Sequence, residues 1–154
     1  MNVKTLMASS LVSFVLCACA QPSEPGLPNV VVYKNESCGC CKLWVQHLTK
    51  SGFSVQMHNI DNLNPVKQRV GVPVGMGSCH TAEVGGYFIE GHVPAEDIKR
   101  LFREHPDAKG LTVPGMPVGS PGMEVSSGEV KPYEVFLVTH DGSTSVYARH
   151  GQSE

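Results

Sequence analysis

The sequence predicts a single α/β domain, and three features of the chain indicate it. Its 154 residues are 41% hydrophobic, which suits one domain with one core. A β-branched run at 30–34 precedes a stretch with helical periodicity and then a stretch that alternates apolar with polar residues. The C-terminal part contains two strand-like segments that flank an Asp-Gly turn. Together these patterns predict a sheet that packs against helices.

The first 20 residues are predicted to be an export signal. An uncharged stretch follows Lys4, and it is too short for a permanent membrane helix, which needs about 20 residues. Cleavage is therefore expected, and the cysteines of the mature protein would lie in an oxidising compartment. Ala18-Cys19-Ala20 fits ordinary signal peptidase, whereas Leu16-Cys17-Ala18-Cys19 resembles a lipoprotein box that would place a lipid on Cys19. The proline-containing segment 21–29 then reads as a linker to a domain at 30–150.

The domain is predicted to begin with a βαβ unit. The strand at 30–34 lies between Pro28 and Asn35, and the helix at 42–50 ends at a Ser-Gly stop signal. The segment 53–60 alternates apolar with polar residues, as a second strand does. Further elements are expected as follows: a short helix at 64–70, a strand at 84–89, a helix at 94–104, and hairpin strands at 133–139 and 144–149.

This order of elements fits a thioredoxin-like sandwich, with a mixed sheet and flanking helices. The stretch from 71 to about 109 has no obvious place in that order, so we expect it to be an insertion or an edge elaboration. Gly/Pro-rich loops are predicted at 71–82 and 109–129.

Cys38-Gly39-Cys40-Cys41 lies at the predicted junction between the first strand and the first helix. The free amides at the start of a helix favour thiolate over thiol, and both metal binding and disulfide exchange use the thiolate. A structural disulfide is the alternative interpretation. Because a bridge across so short a loop removes little entropy from the unfolded chain, we favour a reactive or metal-ligating site.

Cys79-His80, in the loop at 71–82, adds a fourth sulfur and an imidazole. Zinc accepts such a donor set, but the second half of a zinc knuckle is absent from the sequence. Met76, Met116 and Met123 lie in Gly/Pro loops instead of on amphipathic elements, where core methionines occur. Thioether sulfur is a good ligand for Cu(I) and a poor one for zinc, so the methionines favour copper.

Several functions are excluded by composition or lack a motif. The net charge of −2 provides no electrostatic surface for nucleic acid or for anionic lipid, so membrane contact is expected only through a lipid on Cys19. The sequence contains no pattern typical of a catalytic triad, a phosphate loop or a carboxylate pair, and we assign no catalytic residue. His92, at a turn before the helix at 94–104, is either a ligand or a cap-region residue.

Four motifs in this order resemble the CopG family of small exported copper-resistance proteins. They are Cys38-Gly39-Cys40-Cys41 with Trp44, Ser78-Cys79-His80-Thr81-Ala82, Glu90-Gly91-His92-Val93-Pro94, and Val113-Pro114-Gly115-Met116-Pro117 with Gly119-Ser120-Pro121-Gly122-Met123-Glu124. The resemblance covers nearly all of 29–149. It implies a thioredoxin-like fold, periplasmic copper handling, and a cysteine-bridged site for several copper ions that supports Cu(I)/Cu(II) chemistry.

Carried over residue by residue, the resemblance ranks the expected copper ligands. Cys38, Cys41 and Cys79 come first; Cys40, His92, Met116 and Met123 follow, and His80 and Met76 come last. Three functions stay open at this point: a copper oxidoreductase, a passive copper chaperone or buffer, and a thiol-disulfide oxidoreductase of thioredoxin type. Other periplasmic copper-resistance proteins are the expected partners.

Overall fold

A computed structural model describes residues 26–152, which form a mixed seven-stranded sheet and three helices. This arrangement confirms the predicted α/β class. The elements in chain order are β1 (Val30–Lys34), α1 (Gly39–Lys50), β2 (Val55–Asn59), α2 (Asn64–Val70), β3 (His80–Val84), β4 (Tyr87–Glu90), α3 (Ala95–Glu104), β5 (Gly110–Thr112), β6 (Tyr133–Val138) and β7 (Thr144–His150).

The strands are ordered β2-β1-β3-β4-β5-β6-β7 across the sheet. Parallel pairing joins β1 to β2 and β4 to β5, and the other neighbours are antiparallel. The predicted βαβ unit is therefore confirmed as β1-α1-β2. The predicted C-terminal hairpin is confirmed as β6 and β7, which end the sheet on its far side.

The expectation that 71 to about 109 is an insertion or an edge elaboration is wrong. Strand β3 pairs with β1 in the middle of the sheet, and the expected strand at 84–89 is divided by a tight turn at Gly85-Gly86 between β3 and β4. The sequence of β3, His-Thr-Ala-Glu-Val, looks too polar for a buried strand. Its Thr81 is nevertheless buried, because the Thr81 hydroxyl forms hydrogen bonds with Glu90 and with Lys67 inside the protein.

The core lies where α1 and α3 pack against the sheet. Its largest fully buried apolar side chains are Trp44 and Leu48 of α1, Ile98 and Leu101 of α3, and Ile89 and Leu111 of the sheet. Trp44 also donates an indole hydrogen bond of 2.9 Å to the carbonyl of Val93, which joins α1 to the turn before α3. Strand β2 is mostly exposed because it is the edge strand of the sheet. Its alternating sequence did not predict this exposure.

Among residues 26–152, no helix has the length and apolar character that crossing a membrane requires. The predicted export signal at 1–20 and the lipid site at Cys19 lie outside the described residues.

Candidate metal centre

The pairing of β1 with β3 brings the two cysteine-containing segments together. Lys34, the last residue of β1, pairs with His80, the first residue of β3. Cys38-Gly39-Cys40-Cys41 follows the end of β1, and Cys79 precedes the start of β3, so both segments lie at the same end of these two neighbouring strands. The four sulfurs lie within 4.8 Å of one another.

Cys38 and Cys41 form a disulfide bond within the first turn of α1. Cys38 is the N-cap of this helix, and its sulfur accepts a hydrogen bond of 3.3 Å from the amide of Cys41. A disulfide was the alternative interpretation of this motif. The observed bond joins Cys38 and Cys41, which are two of the three residues that we ranked first as ligands. Both sulfurs must be reduced before they can bind a metal.

Among the cysteines of residues 26–152, Cys40 and Cys79 are the free thiols, and they lie beside this disulfide. The sulfur of Cys79 lies 3.4 Å from that of Cys41 and 3.9 Å from that of Cys40, and the sulfur of Cys40 lies 3.5 Å from that of Cys38. Cys79 therefore contacts the helix N-terminus from the opposite segment.

Two histidines converge on the same thiol. The sulfur of Cys79 lies 3.1 Å from Nε2 of His92 and 3.4 Å from Nδ1 of His80. Nδ1 of His92 lies 2.8 Å from the carbonyl oxygen of Pro121, to which it donates, so Nε2 turns its lone pair towards Cys79. Cys79, His80 and His92 thus form a second donor group that shares its sulfur with the cysteine cluster.

His80 is fully buried, and its Nε2 has no hydrogen-bond partner among the described residues. Its ring packs against the indole of Trp44 at 4.3 Å and meets the ring of His92 edge-on at 5.0 Å. A buried polar atom without a partner is costly, and such atoms often mark a ligand site.

Burial sets the protonation states of these donors. It lowers the pKa of His80 and of His92, so both imidazoles are neutral and can donate a lone pair. Burial, with a contribution from the nearby Cys40, raises the pKa of the Cys79 thiol from 9.0 to about 12. A metal that binds Cys79 must therefore displace a tightly held proton.

The segment that carries Cys79 is held by a buried carboxylate, Glu90 of β4. One oxygen of Glu90 accepts a hydrogen bond of 2.6 Å from the amide of Ser78 and forms an ion pair with Lys67 of α2. The other oxygen accepts a hydrogen bond of 2.7 Å from the Thr81 hydroxyl. Burial raises the pKa of Glu90, whereas the Lys67 charge opposes that rise.

Glu90 and Lys67 were not predicted from the sequence to support the site. The available signal was a charged residue, Glu90, that ends an otherwise apolar strand segment two residues before His92. Such a residue on a buried strand needs a partner, and the partner, Lys67, lies on a separate helix that only the folded structure brings close.

The methionine loops pack beside the cysteines. In the loop that carries Met123, Gly122 has a φ of +86°, and a Cβ there would meet the carbonyl oxygen of Cys40 and the amide of Trp44 at 2.7 Å. Met116 is 52% exposed and follows Gly115, whose carbonyl accepts a hydrogen bond of 2.5 Å from the hydroxyl of Ser78. Both loops therefore contact the segments that carry the thiols.

Met76 belongs to the loop before β3. Its carbonyl accepts a hydrogen bond of 2.6 Å from the hydroxyl of Thr112, which fixes the backbone of that loop to β5.

Three histidines outside the resemblance motifs, His47, His58 and His150, make contacts away from the cysteine and histidine cluster. His47 accepts a hydrogen bond of 3.0 Å from the amide of Ala95 and so links α1 to α3. His58 stacks on Tyr33 at 5.4 Å, and His150 contacts Asp97 at 2.7 Å. These contacts are structural.

A family model described as a protein of unknown function, DUF411, matches residues 76–123. Two solved structures, both titled copper resistance protein CopG, are similar to the chain. Form 1 is 47% identical, with a TM-score of 0.76, and the alignment covers 82% of this chain and 99% of that one. Form 2 is 48% identical, also with a TM-score of 0.76, over 80% of this chain and 98% of that one. The search of curated proteins found no match.

Proposed function

Because the chain belongs to the CopG family of copper resistance proteins, we propose that it acts in copper resistance by binding copper at the cysteine and histidine cluster. The observation that carries this proposal is the convergence of three cysteines and two histidines on Cys79. Thiolate and imidazole together suit copper, and the unpartnered Nε2 of buried His80 is consistent with a metal-binding role for that ring.

We propose that the site holds several Cu(I) ions, with Cys79 as a bridging ligand. The cluster consists of two donor groups, the four cysteines and the Cys79-His80-His92 set, and Cys79 is common to both. Six donors exceed what one Cu(I) ion coordinates, and a thiolate can bridge two ions. Met116 and Met123 are the proposed thioether ligands, since their loops pack beside Ser78 and α1.

The finer fold assignment, a thioredoxin-like sandwich, is also proposed. It is supported by the order β2-β1-β3-β4, in which a parallel βαβ unit is followed by an antiparallel pair and then by α3. The cysteine motif starts α1, as the redox motif does in that fold. Strands β5 to β7 extend the sheet beyond it.

We propose that copper changes oxidation state at this site, so that the protein is a copper oxidoreductase. Thiolates favour Cu(I), whereas imidazoles accept either oxidation state, and the cluster contains both ligand types. A passive copper chaperone or buffer would use the same ligands without turnover. Copper-dependent redox turnover separates the two.

One observation favours a second function, thiol-disulfide oxidoreductase: Cys38 and Cys41 form a disulfide at the start of α1. Against it stands the free thiol of Cys79, 3.4 Å from the sulfur of Cys41, which would compete in any mixed disulfide. We also propose the periplasm as the location, with other periplasmic copper-resistance proteins as partners and membrane contact only through a lipid on Cys19.

The test is a Cu(I) titration of reduced protein under anaerobic conditions, in competition with a chromophoric chelator. The proposal expects uptake of more than one Cu(I) per chain, followed by turnover when an electron donor and Cu(II) are supplied. Uptake without turnover would leave the passive buffer. Reduction of insulin disulfides by a Cys79→Ala variant, with no copper uptake by the wild type, would instead establish the thiol-disulfide function.

A further inference from the structure

We infer that the Cys38–Cys41 pair supplies the electrons that reduce Cu(II), and that the donors outside this pair retain the Cu(I) that forms. The inference rests on the proposed function, because it assumes that copper reaches the cluster. It adds a specific source of electrons and assigns different tasks to the cysteines.

The first observation is that the disulfide lies within one turn of α1. Cys38 is the N-cap, Cys41 is three residues later, and their Cα atoms are 5.4 Å apart. This distance lies in the range that a disulfide needs, and the helix fixes it in the reduced protein as well. The pair can therefore exchange two electrons while the backbone stays in place.

The second observation is that formation of this disulfide leaves a complete set of donors. Cys40 and Cys79 stay free thiols, 3.9 Å apart, and Nε2 of His92 and Nδ1 of His80 remain 3.1 and 3.4 Å from the sulfur of Cys79. Oxidation of the pair lowers the number of thiol ligands from four to two, but it does not dismantle the site. Copper that has just been reduced keeps two thiols and two imidazoles as ligands.

The position of Cys79 explains why the Cys38–Cys41 pair, and not another pair of cysteines, is the proposed electron donor. Its sulfur is also close to those of Cys41 and Cys40, at 3.4 and 3.9 Å, so other disulfides are within reach. A disulfide that included Cys79 would remove the one sulfur that both donor groups share. The Cys38–Cys41 bond removes ligands from the cysteine group alone.

The reaction balances as a two-electron step. The thiols of Cys38 and Cys41 release two protons to solvent, the resulting thiolates each lose one electron and form the S–S bond, and two Cu(II) ions each gain one electron to become Cu(I). An external dithiol reverses the oxidation by attack on the sulfur of Cys38, which is half-buried, because Cys41 is fully buried. That reset transfers two electrons and two protons from the dithiol to the pair.

The experiment uses the full chain, reduced, desalted and kept anaerobic, to which two equivalents of Cu(II) sulfate are added. Electron paramagnetic resonance measures the Cu(II) that remains. After an acid quench, free thiols are alkylated and the protein is digested with trypsin. Cys38, Cys40 and Cys41 lie between Lys34 and Lys42, so one peptide, 35–42, reports on all three.

We expect loss of the Cu(II) signal, a single alkyl group on peptide 35–42, located at Cys40, and an alkylated Cys79. A Cys41→Ser variant should reduce Cu(II) about tenfold more slowly, because the intended disulfide cannot form. The Cys41→Ser variant is made in, and compared with, a full-length chain that carries Cys17→Ser and Cys19→Ser. In this background the N-terminal cysteines contribute no electrons.

Three results would overturn the inference: a persistent Cu(II) signal, reduction that leaves three alkyl groups on peptide 35–42, or a disulfide that includes Cys79. Elemental analysis of a parallel sample loaded with Cu(I) separates these from failure of the proposed function. If several Cu(I) ions bind but Cu(II) produces no Cys38–Cys41 bond, only the inference fails. If no Cu(I) binds, the proposed function fails as well.

Discussion

At the residue scale, Cys79 is the residue that both donor groups share, and its protonation should give copper binding a pH dependence. Because burial raises the pKa of its thiol to about 12, the proton competes with copper throughout the neutral range. The apparent Cu(I) affinity should therefore rise with pH by about tenfold per unit for each thiol proton displaced.

A chelator competition run from pH 7 to pH 10 checks this expectation. The neutral imidazoles of His80 and His92 add no slope there, since burial lowers the pKa of each. The rise should continue beyond pH 9, where a thiol with the ordinary pKa of 9.0 levels off. An affinity that stays constant above pH 7 would show that copper does not displace the Cys79 proton.

The methionines allow a second test at this scale. Met123→Leu should weaken Cu(I) binding by about tenfold and shift the copper potential, because the proposed thioether ligand is replaced by an apolar group of similar volume. Met57→Leu is the matched control, since Met57 is half-exposed on the edge strand β2. Cys38→Ser should weaken Cu(I) binding more than Met123→Leu does, because thiolate is the stronger ligand. Equal Cu(I) affinity in the Cys38 and Met123 variants would contradict this ranking.

Residue types and spacing in the sequence selected the four cysteines and His80, whereas His92 was left open and was ranked as a ligand only through the family resemblance. They did not distinguish reduced thiols from the Cys38–Cys41 disulfide, because both states use the same spacing. They also did not identify Glu90 and Lys67 as supports, since their contact joins β4 to α2, which are separate in the chain.

At the element scale, the packing of the 120–124 loop against α1 depends on Gly122. Gly122→Ala should lower the free energy of unfolding by about 1–3 kcal/mol, because a Cβ meets backbone atoms of Cys40 and Trp44 at a φ of +86°. Copper affinity should fall too, since the loop presents Met123. Chemical denaturation and the chelator assay measure both effects.

Gly115→Ala is the control for this prediction. Gly115 has a φ of +70°, but a Cβ there meets no atom within 4 Å, so only backbone strain is added. We expect about 1 kcal/mol from that strain. If the two variants lose the same stability and the same affinity, the contact between the loop and α1 is not important for the site.

The link between α2 and β4 gives a further prediction. Lys67→Met should destabilise the protein by about 2–3 kcal/mol at neutral pH, because the buried Glu90 carboxylate loses its counter-ion. Burial already raises the pKa of Glu90, and the loss of Lys67 raises it further. Glu90 in the folded variant then binds a proton more readily than it does in the unfolded chain. The stability that the variant has lost relative to the wild type should therefore be partly regained as the pH falls towards 4.5.

Denaturation curves at neutral and acidic pH measure that deficit. A Lys67→Met/Glu90→Gln double variant should regain most of the lost stability at neutral pH, because it leaves no buried charge. A double variant that is less stable than the single one would indicate that the ion pair itself is not the important interaction.

At the scale of the whole molecule, the fold was predictable where local patterns match local structure. The strand β1, the helix α2 and the C-terminal hairpin were predicted close to their observed bounds. The central strand β3 was missed because its burial depends on partners from α2 and β4, which a polar five-residue sequence does not reveal. The antiparallel pairing of β1 with β3, which assembles the site, is a nonlocal contact of the same kind.

The most direct test of the central claim, that the cluster binds several copper ions through a shared Cys79, is native mass spectrometry of full-length chains reduced and loaded with Cu(I) under anaerobic conditions. The wild type should carry several copper ions, Cys79→Ser at most one, and Cys40→Ser an intermediate number, since Cys40 belongs to only one of the two donor groups. Circular dichroism verifies that each variant is folded. A wild type with one copper or none, or a folded Cys79→Ser variant with the full number, would contradict the claim.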